Sequence, residues 1–191
     1  MTSAEDFGSA IREQLVRHRR EVEDLYAGRP RASLGWLPAP GVWSVAECLQ
    51  HLVITDGQYL ELTRASLARA RGTALQRAVT EVRGGPVAGW FVRQVGPDGK
   101  RRVKAPGVFQ PGEVEVPEAV PESFLASQDR LVQLLDESLG FDLDRVRVPS
   151  PVSGIVRFRL GDVFRVICAH QRRHLDQAAR IWNDPRREAA P

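Results

Sequence analysis

The chain has 191 residues, 42% of them hydrophobic, enough for one domain of ordinary size with a real core. No apolar run approaches the roughly 20 residues of a membrane helix, and the start, Met1-Thr2-Ser3-Ala4-Glu5-Asp6, is polar and unlike a signal peptide, so a cytoplasmic location without membrane attachment is expected. The net charge of +3 and pI ≈ 9.3 do not make a nucleic-acid binder: all but two of the 27 basic residues are arginine, 24 acidic residues are interspersed, and the densest basic stretch, Lys100-Arg101-Arg102-Val103-Lys104, is short.

A first helix is predicted from Ser3 to Tyr26. Ser3 is placed to cap it, and Phe7, Ile11, Leu15, Val22 and Leu25 recur at helical spacing. His18 lies among Arg17, Arg19 and Arg20, which reads as a surface position. Residues 28–42 are a link broken by proline and glycine.

The second helix has the clearest start. Ser44-Val45-Ala46-Glu47 matches a capping box, and Trp43 and Cys48 take the hydrophobic staple positions. Val45, Cys48, Leu49, Leu52, Asp56 and Tyr59 form its inward stripe. His51 lies about 100° from Leu52, at the stripe's edge. The helix fades near Gly72. Residues 84–121 are dense in proline and glycine; a small hairpin within 90–104, turned at Gly96-Pro97-Asp98-Gly99, and a long loop over the other helices are both open. A third helix is expected from Pro121 to Gly140, then an irregular link over 141–160.

The fourth helix is expected from about Gly161 to Trp182, followed by a charged tail from about residue 184. Val163, Ile167, His170, His174, Ala178 and Ile181 follow one stripe, so two histidines sit in the core-facing row. Four amphipathic helices with long crossovers point to an all-α four-helix bundle, with residues 1–191 as a single domain. Cys48 and Cys168 read as buried, reduced thiols, since no Cys-x-x-Cys occurs.

Histidines four apart on a helix stand with Cβ atoms roughly 5–6 Å apart. His170 and His174 can therefore reach one ion, and His51 from a facing helix supplies a third nitrogen. Three protein ligands leave a coordination position open, the arrangement of metals that do chemistry. No Glu follows His170, so the zinc-protease pattern is absent. The competing reading is that these are hydrogen-bonded core histidines.

The segment Trp43-Ser44-Val45-Ala46-Glu47-Cys48-Leu49-Gln50-His51-Leu52 resembles the tryptophan-to-histidine segment on the second helix of DinB-like proteins. His170-Gln171-Arg172-Arg173-His174-Leu175-Asp176-Gln177 resembles that family's C-terminal His-x-x-x-His-x-x-Gln, and Val103-Lys104-Ala105-Pro106 a Lys-Ala-Pro stretch of the YfiT-like branch. The resemblance implies a DinB four-helix fold with a divalent ion (Zn, Ni, Fe or Mn) on His51, His170 and His174, and Gln177 behind His174. It implies a metal-dependent hydrolase of a small molecule. A transferase using a low-molecular-weight thiol and a non-catalytic helical binding or stress-response module are the alternatives. Glu47, Asp56 and Gln177 are the candidate catalytic residues, Glu47 or Asp56 to orient a ligand or accept a proton and Gln177 to support His174 from behind. Where related chains carry His-Pro before a Gly, this one has Ser150-Pro151-Val152-Ser153-Gly154. A small-molecule substrate is expected, with no nucleic acid or membrane partner, and homodimerisation through exposed helix faces is open.

Overall fold

The computed structural model describes residues 2–27, 31–97, 106–114 and 116–187. Its class is all-α. The helices are α1 (Ala4–Tyr26), α2 (Val45–Ala70), α3 (Pro86–Val95), α4 (Val120–Ser138) and α5 (Leu160–Trp182). Two short antiparallel pairs accompany them: β1 (Thr2–Ser3) with β2 (Glu81–Val82), and β3 (Arg147–Ser150) with β4 (Ser153–Arg159).

The predicted caps form. Ser3 Oγ accepts the Asp6 N–H at 2.9 Å. At the head of α2 the Ser44 hydroxyl accepts from the Glu47 N–H at 3.1 Å, and the Glu47 carboxylate accepts from the Ser44 N–H at 2.7 Å. Trp43 packs on the apolar cluster that contains Cys48.

The long helices form a ring in the order α1, α4, α2, α5, so α1 and α2 lie diagonally, and α3 packs on α5. The core is two apolar clusters, one around Leu15, Tyr59, Leu131 and Ile167, the other around Val22, Leu52, Phe124 and Leu175. Between them each long helix contributes a buried polar side chain: His18, Asp56, Ser127 and Gln171. Buried polar groups cost stability unless hydrogen-bonded. Gln171 meets that demand from both ends. Its Nε2 donates to Asp56 Oδ2 at 2.8 Å, and its Oε1 lies 2.8 Å from His18 Nδ1. The Ser127 hydroxyl lies near the same carboxylate without meeting hydrogen-bond geometry.

Three expectations need correction. His18 is buried at 3% exposure, not on the surface: it falls three residues after Leu15 and four before Val22, on the inward stripe. Residues 86–95 form a helix where a hairpin over 90–104 was considered. Pro86 fits the first helical turn, and Ala88, Phe91, Val92 and Val95 pack on the core at helical spacing. The second half of that hairpin, 100–104, lies outside the described residues. The hairpin that does occur, β3–β4, occupies the link read as irregular. Val148 pairs with Phe158, both buried, while Arg147 pairs with Arg159. A register shift lies between Pro149 and Ser150.

Candidate metal centre

His51, His170 and His174 come together although α2 and α5 are far apart in the chain. One ligand atom from each lies within 4.8 Å of the other two. The closest pair is His51 Nε2 and His170 Nε2, at 3.2 Å. Nitrogens bound about 2.0–2.1 Å from a tetrahedral ion stand about 3.3 Å apart, so this spacing already fits a shared cation. The ring centroids are 5.0 Å apart for His51–His170, 4.6 Å for His51–His174 and 4.7 Å for His170–His174.

Two of the rings are oriented from behind. His51 Nδ1 lies 2.5 Å from the Phe109 carbonyl oxygen, which can only accept, so the proton sits on Nδ1. Gln177 Oε1 likewise accepts from His174 Nδ1 at 3.1 Å. Both bonds leave an Nε2 lone pair for the cluster, the arrangement by which outer partners set the tautomer of metal-bound histidines. Trp43 closes one side, its ring centred 4.9 Å from His51 and 5.7 Å from His174. His51 is buried, His170 and His174 half-buried, so the cluster is approachable from one direction.

Burial is the main reason these imidazoles stay neutral. It lowers His51 despite the bond to Phe109, and brings His174 down to about 3, helped by His51 and Arg173. His170 falls well below its ordinary value, through burial and then its two histidine neighbours. Neutral nitrogens are what a cation requires.

The other candidates part ways. Gln177 touches a cluster histidine. Glu47 is turned back to the Ser44 backbone. Asp56 is 1% exposed and bonded to Gln171; burial raises its pKa to about 7. Asp56 makes no hydrogen bond to the three imidazoles among the described residues. Sequence reasoning missed Phe109 and Trp43 as parts of the site. A backbone carbonyl carries no residue signature, whereas Trp43 sat in view as the staple beside the capping box.

A family model of the DinB superfamily matches residues 14–178, which include all three histidines. No curated protein and no solved structure matches the chain. No helix among the described residues is long and apolar enough to cross a membrane.

Proposed function

Because the chain belongs to the DinB superfamily, we propose that it is a metal-dependent enzyme of the YfiT-like branch, acting as one domain on a small molecule. His51, His170 and His174 hold the divalent ion in this reading. Zinc is the first choice, and nickel, iron and manganese also suit imidazole. The observation that carries the proposal is the convergence of three neutral imidazoles, two with Nδ1 occupied and Nε2 turned inward. When bound, such an ion lowers the pKa of a water toward about 7, which suits hydrolysis.

The chain's own residues do the rest. Phe109 and Gln177 hold two rings in the required tautomer, and Trp43 keeps solvent from the face it covers. Half-burial of His170 and His174 leaves a path for substrate.

A second reading replaces water by a small thiol. The chain does not provide that thiol itself. Burial pushes the Cys48 thiol up strongly and Cys168 up to about 12, so neither is a thiolate at neutral pH. Cys48, sealed in the core, is not expected to react with a disulfide reagent until the protein unfolds; its rapid titration in the native state contradicts that.

Turnover separates the readings. Metal-reconstituted protein is assayed for hydrolysis of small activated esters and amides, and for conjugation of an electrophile in the presence of a small thiol. Hydrolysis without thiol supports the first reading, and thiol-dependent conjugation the second. Either must vanish on chelation. If neither reaction responds to metal, the chain is a binding module.

A further inference from the structure

A cavity of about 450 Å³ opens between α1, α3 and α5, within the range of small-molecule sites. It does not belong to the histidine cluster. Cys168 and Arg172 line it, and both stand about 160° round α5 from His170.

His18 forms part of its wall, buried to 3% exposure. The polar layer decides which hydrogen this ring carries. Gln171 Nε2 donates to the Asp56 carboxyl, so Gln171 Oε1 is the acceptor toward His18. The hydrogen is therefore on Nδ1. Burial lowers the pKa of His18, so the ring is neutral near pH 7 and Nε2 is a lone pair. That nitrogen has no hydrogen-bond partner among the described residues. It is not one of the sealed, unpartnered polar atoms of the core, so it is an acceptor open to a donor on a ligand in the cavity.

Among the described residues, two of the arginines that line the cavity are held in ion pairs. Arg165 is paired with Asp162 at 2.9 Å, and Arg172 with Glu21 at 2.5 Å and Asp176 at 2.6 Å. The first amide at the head of α3, Gly85 N–H, is already occupied by Asp162 at 3.0 Å. Arg17 lines the same cavity from an exposed position next to His18 and has no ion pair among the described residues. The fork of the Arg17 guanidinium matches a carboxylate.

We propose that this cavity is a second small-molecule site, built for an organic acid. The acid sets its carboxylate against Arg17, donates an N–H or O–H to His18 Nε2, and lays an apolar body on Ile11, Ala88, Val92 and Cys168.

The test uses the full chain with its metal, imidazole ¹⁵N spectra, and three probes: N-acetyl-alanine, N-acetyl-leucine and N-acetyl-phenylalanine. At least one should move the His18 Nε2 resonance saturably. Its uncharged amide should bind about ten-fold more weakly, and Arg17→Gln should weaken the acid by a similar factor while leaving metal content unchanged. Binding should survive His174→Ala, which separates this site from the histidine cluster. No shift with any of the three acids up to about 10 mM, equal binding of acid and amide, or indifference to Arg17→Gln overturns the proposal.

Discussion

Replacing His174 by alanine is expected to take the divalent ion content of tag-free protein, equilibrated with free ion at about ten times the wild-type dissociation constant, from about nine-tenths of an equivalent to about a tenth or less. Removing an outer partner of a metal ligand costs about 10–100-fold in affinity, and removing the ligand itself should cost at least about 100-fold. The loss has a thermal signature. At an ion concentration 1,000 times the dissociation constant, binding adds about 4.1 kcal/mol to stability, of which a 100-fold weaker site forfeits about 2.7 kcal/mol. For a chain of this size that is a fall of about 5–11 °C in Tm when metal is present. With chelator, wild type and variant should melt within a few degrees of each other, because His174 is only half-buried. Elemental analysis and paired melting curves read both effects. Low wild-type metal content, unchanged in the variant, would leave the histidines as core residues only.

The metal-free protein is expected to become acid-labile between pH 6.5 and 5. All four histidines have folded-state pKa values lowered by burial. A base depressed in the native state contributes stability that is whole above its unfolded pKa and drains away as pH falls below about 6.5, because the unfolded chain then binds more protons. His174, held down at about 3, alone loses about 2 kcal/mol on going from pH 7 to 5, and His170, His18 and His51, all lowered by burial, add to that loss. Asp56 works the other way. Its carboxyl is raised to about 7, so its contribution is lost as pH rises through 7 and recovered on acidification, by about 2 kcal/mol over the same interval. The histidines win, and net stability should fall. Asp56→Asn keeps an acceptor for Gln171 and removes the opposing effect, so its acid loss should be steeper than that of wild type. Urea titrations at pH 7, 6 and 5 measure both slopes. A flat profile in chelated wild type would contradict the burial of these rings.

Much of this was legible because periodicity and caps act locally. Ser44 and Glu47 mark the start of α2, and the spacing of Ile167, His170 and His174 puts two imidazoles inward. His18 shows how a local impression misleads. Its arginine neighbours suggest solvent, yet the 15–18–22 spacing places it inside. α3 was hidden by flanking glycines and prolines, although Ala88, Phe91, Val92 and Val95 keep helical intervals. The β3–β4 pair was obscured by Pro149 and Pro151, while the alternation of Val156, Phe158 and Leu160 around arginines was there to be read. The Phe109 carbonyl and the joining of His18 to Asp56 through Gln171 depend on how the bundle closes, and no residue pattern announces that.

Gln171 sits one position after His170, and its amide is gripped at both ends by helices that are diagonal to each other. Rolling α5 by a single residue, about 100°, would break both grips at once. The amide is thus a rotational detent, locking the azimuth of the row that carries His170 and His174 from inside the protein. An incoming ion finds that row already aimed, so capture should demand little rearrangement and free and loaded forms should share one backbone.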